Sequence, residues 1–306
     1  MLAHFKDLPI YAEYMHRGAF DITETYGKDI FLTIRYLGAG WLPRLFAFRG
    51  WFDGFTSGLK FVPRHVSDKI MYAISRLLPN HLPKKMKEYR DKYEHHLLLK
   101  MSADGISDAR RFLEARFPSL QGDFFECTQD ESEKAFLHRF AAAGAGVRYQ
   151  TVHSGDVEDM VALDVALRRN DQNWFESLRE EVNRSILHKL YYGHFFCHVF
   201  HQDYIIRKGH KSPEVEHKMW RLLDARGAQF PAEHNFGHLY HAKPELIRHY
   251  KNLDPCNCFN PGIGHTSKLT QWNDGERREP FDGAHDVKTH NLEGVHQQTA
   301  AEAPHA

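Results

Sequence analysis

GHFFCHVFHQDY, spanning Gly193–Tyr204, puts three histidines and three phenylalanines into one short run. Aromatic and β-branched residues suit a pleated, half-buried surface better than a helix, so the run reads as the heart of a strand over His194–Ile206. Side chains alternate along a regular strand. His194 and His198 then share a face with Phe196 and Phe200, and His201 points away unless the chain turns or bulges. Imidazole is a common metal ligand and titrates near neutral pH, which makes His194, His198 and His201 candidates for holding a divalent metal or a substrate. The same composition also fits a buried aromatic strand whose histidines are hydrogen-bonded in the core.

Working outward, a helix is expected over Asn173–Tyr191 before this strand, and another over Ser212–Arg226 after it, ended by Gly227. Further upstream, His95–Met101 is strand-like. In Ile106–Phe117 the residues Ile106, Ala109, Leu113 and Phe117 fall on one helical face. Asp123–Cys127 (DFFEC) is strand-like again, and Asp130–Ala143 helical. Strands interleaved with helices predict an α+β fold with helices packed on a sheet.

The segment from Arg35 to Lys92 differs in character. It holds 12 Lys/Arg against 4 Asp/Glu, although the whole chain of 306 residues balances 40 basic against 40 acidic residues. Aromatic residues are interleaved with the cations, and Pro43, Pro63, Pro79 and Pro83 cut the segment into short pieces. Between Pro63 and Pro79, Val66, Ile70, Ala73, Ile74 and Leu77 follow a helical rhythm, with Lys69 and Arg76 off that stripe. An anionic membrane surface fits this composition, since each Lys or Arg near such a leaflet contributes about 1 kcal/mol and Trp and Phe settle at headgroup level. The candidate contacts are Arg44, Arg49, Lys60, Arg64, Lys69, Arg76, Lys84, Lys85, Lys87, Trp41 and Trp51. Nucleic acid is a competing polyanion, but no nucleic-acid-binding motif is present. A solvated basic face is the plainer reading.

Two loops follow. PAEHNFGH, Pro231–His238, sets Glu233 beside His234, a pairing that can offer a ligand and a general base from one place or an ordinary turn carboxylate. DPCNCFNPGIG, Asp254–Gly264, is rich in turn formers and allows close backbone approach. Beyond about Thr270 the chain turns polar, and 271–306 is expected to be disordered.

Four cysteines show neither a disulfide framework nor CxxC spacing, which suits a reducing, cytoplasmic setting. Met1–Arg17 lacks the apolar core of a signal peptide. No run of about 18 apolar residues could span a bilayer as a helix.

Taken together, several longer stretches resemble the bacterial quinone-dependent, FAD-linked D-lactate dehydrogenases. They are Leu82–Lys100, Gly122–Thr128, Glu133–Ala141, Val161–Asp171, His188–Ile205, Arg226–Tyr240 and Asn260–Lys268, in the family's order, within a resemblance running from about Leu8 to Lys268. The resemblance implies an antiparallel-sheet cap (substrate) domain from 1–17, 92–129 and 155–224. It implies a mainly helical, electropositive membrane-binding domain from 18–91 and 130–154. A loop-rich return to the FAD domain would occupy 225–270, with Asn260, Pro261 and Gly262 on the cofactor side. The family's glycine-rich flavin-phosphate loops would lie upstream, so the chain is expected to begin inside the cap.

By the same resemblance, His194, His201 and Glu233 hold a divalent metal or the substrate carboxylate, with His198 able to replace one partner. His234 takes the hydroxyl proton as D-lactate becomes pyruvate. The expected partners are D-lactate, quinone, anionic phospholipid at the cytoplasmic face of the inner membrane, and a separate FAD-binding chain. The alternative expectation is a truncated, non-catalytic peripheral membrane fragment.

Overall fold

A computed structural model describes residues 10–59, 61–62, 65–102, 105–119, 121–168, 171, 178–232 and 240–273. The expected disordered tail lies outside these residues, apart from its first three positions. In chain order the elements are β1 (Tyr11–His16), α1 (Arg17–Tyr26), α2 (Lys28–Leu37), α3 (Leu42–Ser57), α4 (Val66–Leu77) and α5 (Lys84–Lys92). Then come β2 (His95–Lys100), α6 (Gly105–Glu114), α7 (Gln129–Phe140), α8 (Ala142–Val152), β3 (Val157–Val165) and α9 (Glu180–Asn183). The series ends with β4 (Ile186–His194), β5 (Val199–Arg207), α10 (Ser212–Ala225) and α11 (Pro244–Leu253). The fold is α+β, as expected.

The five strands form one sheet in the order β2-β1-β4-β5-β3, with every pairing antiparallel. One face carries Tyr14, Val161, Leu163, Tyr191, Phe200, Tyr204 and Ile206 and is covered by Val215, Met219 and Leu223 of α10. The opposite face carries Met15, Leu190, Tyr192 and Ile205 and packs on α1, α7, α8 and the start of α5. Both faces are thus buried over the central strands, so β4 and β5 carry no clean alternation of apolar and polar residues.

That is why the expected helix Asn173–Tyr191 fails over most of its described part. A single turn of helix, α9, ends at Asn183, and Ile186–His194 is a central strand. The expected strand His194–Ile206 is instead two strands. β4 ends at His194, Phe195–His198 turn the chain, and β5 starts at Val199, with His194 facing Val199 in register. Among the described residues, the expected strand Asp123–Cys127 pairs with no other strand. It lies against α5, where the Tyr89 hydroxyl donates to the Phe124 carbonyl at 3.0 Å and the Tyr89 and Phe125 rings meet at 4.7 Å. It ends in the capping box of α7: Glu131 N–H donates to Thr128 Oγ1, and Thr128 N–H to the Glu131 carboxylate.

The helices between β1 and β2 are unusual in their orientation. α4 buries Ser67, Asp68 and Ser75 and exposes Ile70, Ile74 and Leu77. Its apolar stripe is where the sequence puts it, but it faces outward. α3 behaves likewise, burying Arg49 and Thr56 while exposing Phe48, Trp51 and Phe55.

What holds the polar faces together is a buried ion network. Asp68 of α4 pairs with Arg49 of α3 and, at 3.1 Å, with Arg148 Nε of α8. Arg148 also pairs with Asp29 of α2. Two arginines and two aspartates balance, which offsets the cost of removing four charges from water. Asp53 of α3 adds a hook, accepting the Ser67 N–H at 3.0 Å and its hydroxyl at 2.6 Å, at the N-terminus of α4 where exposed donors need partners.

Candidate functional site

An acid–imidazole row crosses four neighbouring strands on the α7–α8 face of the sheet. Glu13 comes from β1, His194 from β4, His201 from β5 and Asp164 from β3, and this is also the order of the strands in space. Glu13 and His194 are register partners, as are His201 and Asp164. His194 Nδ1 lies 2.9 Å from Glu13 Oε1, and His201 Nδ1 lies 2.6 Å from Asp164 Oδ1. The two rings meet edge to face, with centroids 5.2 Å apart. A carboxylate on Nδ1 fixes both the tautomer and the orientation of an imidazole.

Arg139 of α7 closes one side. Its Nε is 3.1 Å from Glu13 Oε2, and its guanidinium lies over the Tyr192 ring at 4.7 Å. The Tyr192 hydroxyl donates to Asp203 Oδ2 at 2.6 Å. Burial, chiefly, pushes the Asp203 carboxyl up to about 6. Burial and then the neighbouring Asp203 hold the Tyr192 phenol well above its ordinary range.

The hairpin turn therefore does what a straight strand could not. It brings His194 and His201 onto one face. It does not bring His198 with them: that residue has a left-handed backbone (φ 57°) and sets its ring against Phe200, which belongs to the opposite core. Glu233 and His234 lie outside the described residues. The segment leading to them is anchored at the end of the row, since Ala232 N–H donates to the Asp164 carbonyl at 2.9 Å and Gln229 exchanges both backbone bonds with Ala166.

Sequence reading missed Glu13, Asp164 and Arg139. The available signal for Asp164 was a lone carboxylate inside an otherwise apolar VALDV run. Glu13 had no comparable signal because β1 itself went unrecognised.

The proposed membrane contacts divide. Arg44, Arg76, Lys84, Lys85, Trp41 and Trp51 are exposed, and Lys69 and Lys87 are half-buried. Arg44 lies over the Trp41 ring at 4.9 Å, and Lys85 over Phe125 at 4.9 Å. Arg49 is a correction: it is buried against Asp68 and cannot meet a surface, because an uncompensated Asp68 would be costlier than a lost lipid contact. Lys60 and Arg64 lie outside the described residues. Among the described residues, no helix is long and apolar enough to cross a membrane.

In the C-terminal segment, Gly262 takes a left-handed backbone (φ 88°), with its N–H donating to the Ser267 carbonyl at 3.0 Å. Asn257 braces the same loop by donating to the Ser267 and Leu269 carbonyls. Asn260 and Pro261 remain exposed at its edge. On the far face of the sheet, a cavity of about 810 Å³ lies between α10 and the start of α11, lined in part by His217, Trp220, Phe230, Tyr240 and Lys243. Glu216 nearby is pushed up to about 7, chiefly by burial.

An antiparallel sheet with a carboxylate-oriented histidine pair, joined to helices that turn aromatic and basic side chains outward, defines the class as an α+β protein. The family described as "D-lactate dehydrogenase, membrane binding" matches residues 1–272, and the chain belongs to it. It is 54% identical over 273 residues to the quinone-dependent D-lactate dehydrogenase of Haemophilus influenzae, covering 89% of this chain and 48% of that protein. The enzyme of the same name from Escherichia coli is 53% identical, covering 90% and 48%, and that from Corynebacterium glutamicum 43%, covering 87% and 47%. The chain thus spans about half the length of the curated relatives it matches.

Proposed function

We propose that this chain is the substrate-side and membrane-attached part of a D-lactate dehydrogenase that oxidises D-lactate to pyruvate and passes electrons to membrane quinone. The observation that carries this reading is the row Glu13–His194–His201–Asp164, ending where the segment that leads into Glu233 and His234 docks on Asp164. Oxidation of a secondary alcohol needs a base for the hydroxyl proton, and an oriented imidazole is suited to that role. His234 is assigned as that base, with Glu233 beside it. His194 and His201 position the substrate, and the carboxylates of Glu13 and Asp164 hold their rings.

The hydride acceptor in this reading is FAD. Its pyrophosphate does not fit this chain: among the described residues, no glycine-rich turn links a strand to a helix and leaves a nest of backbone N–H groups. The flavin in this reading is held by another part of the enzyme. The exposed edge Asn260-Pro261-Gly262 is the surface this chain offers to the half that carries it, as a separate chain or otherwise. A divalent metal would need a third ligand beside His194 and His201. The expected one, Glu233, lies outside the described residues. The one described trio close enough to share an ion, Asp53, His65 and Asp68, already uses its carboxylates on Ser67, Arg49 and Arg148.

The division into cap (1–17, 92–129, 155–224), membrane-binding (18–91, 130–154) and return (225–270) segments belongs to the same proposal, as does attachment to the cytoplasmic face. The test is D-lactate-dependent dye reduction by the chain alone and joined to the half of the E. coli relative that this chain does not match. The joined protein should turn over and the lone chain should not. His234→Ala should lower turnover by roughly 10²–10⁴-fold, and unchanged turnover would reject the base assignment. A second reading, attachment without catalysis, draws on the exposed basic and aromatic helices. It predicts that the joined protein binds anionic liposomes yet remains inactive.

A further inference from the structure

We infer that α3 and α4 lie in the plane of an anionic bilayer with their apolar faces inserted at the boundary between headgroups and acyl chains. This rests on the membrane-binding reading and deepens it: the contact is insertion, and the cations alone do not account for it.

Three features carry the inference. The first is inversion. Both helices turn polar side chains toward one buried network, Arg49–Asp68–Arg148–Asp29, so their opposite faces point away from that network. On α4 that outer face is Ile70, Ile74 and Leu77, the last 87% exposed. A water-facing helix has no reason to bury serine and aspartate while exposing isoleucine and leucine, since that costs stability on both counts.

The second feature is continuity. Phe48, Trp51 and Phe55 form a ladder along the outer face of α3, with adjacent ring centroids 6.0–6.1 Å apart. Phe61, between the helices, is 100% exposed. Exposed apolar patches of this kind mark interaction surfaces.

The third feature is charge. Arg44 sits on the same face of α3 as the aromatic ladder, and Lys69 and Arg76 flank the apolar face of α4. An apolar face rimmed by cations and containing Trp matches an anionic leaflet. Helices of 16 and 12 residues reach only about 24 and 18 Å, too short to span about 30 Å of hydrocarbon, so the pair lies in plane.

The test uses the full chain with vesicles of phosphatidylglycerol and of phosphatidylcholine, at low and about 1 M salt. With phosphatidylglycerol brominated on its acyl chains, tryptophan fluorescence should be quenched, and a substantial part of the binding should survive high salt. Trp51→Phe should reduce the quenching. The variant Ile74→Ser/Leu77→Ser should bind at least tenfold more weakly at both salts with an unchanged Tm, because the replaced side chains are exposed. Binding that vanishes at high salt, without acyl-chain quenching and indifferent to the serine variant, would overturn insertion and leave electrostatic attachment standing. No binding to any vesicle would overturn both. A dimer that the serine variant dissociates, with vesicle binding unaltered, would assign the face to a second copy of the chain and overturn the inference.

Discussion

At the scale of single residues, the most informative group is Asp203. It is buried beneath α8, its carboxyl is raised to about 6 by burial, and its oxygen accepts the Tyr192 hydroxyl. A raised carboxyl pKa means that the fold prefers the protonated form. Its contribution to stability is then full below about pH 4 and is lost as the pH rises through about 6, an effect on the order of 2–3 kcal/mol. Asp203→Asn cannot ionise but can still accept from Tyr192. Urea unfolding from pH 4 to 7 should show the variant gaining on the wild type across that window, and a constant difference would refute it.

Asp68 lies between Arg49 and Arg148 in the buried ion network. Asp68→Ala leaves both guanidiniums under-compensated and should cost about 3–5 kcal/mol. Replacing Arg49 as well, in Asp68→Ala/Arg49→Met, should recover part of that loss in the same unfolding assay.

At the scale of elements, the β4–β5 hairpin decides whether His194 and His201 meet. A Cβ on Gly193 would run into the Val199 carbonyl and lie 2.9 Å from Phe200 Cα. These are backbone atoms that cannot yield without moving the ladder. Gly193→Ala should therefore cost about 2 kcal/mol or more and shift the His194 and His201 ring resonances together in NMR. Shifts confined to one ring would contradict the pairing. This hairpin also shows where the sequence was hard to read. Its turn, Phe-Phe-Cys-His, contains none of the usual turn formers, and His198 adopts the left-handed conformation normally left to Gly or Asn.

β4 was misread as helix for a related reason: Leu190, Tyr191 and Tyr192 are apolar on both faces, so no period-two signal survives. By contrast β2, α4, α6, α7 and α10 announced themselves through one-sided patterns or caps, as at Thr128. The periodicity placed α4 correctly and could not say which way it faced. That direction is set by Arg148, which lies 80 positions away from Asp68 in the chain. Of the site, the histidine pair was legible and its carboxylates were not, because both came from strands that went unrecognised.

At the scale of the whole molecule, exposed apolar side chains on α3 and α4, together with Leu253 and Phe259 near the C-terminal loop, predict self-association of the purified chain. Sedimentation should show concentration-dependent oligomers that mild detergent disperses. A monodisperse monomer at high concentration without detergent would count against those surfaces being sticky.

The pairing of β1 with β2 has a broader consequence. His16 and His95 sit opposite each other in register, so everything from Arg17 to Glu94 is, topologically, the connection of one antiparallel hairpin. The entropy of closing such a connection grows only slowly with length, by about 0.6 kcal/mol per doubling. Helical turns can therefore be added to or trimmed from the outer layer at little cost to the strand register that sets Glu13 against His194. The outer helical layer can change in size while the acid–imidazole row on the sheet stays fixed, provided that Arg148 keeps its aspartates.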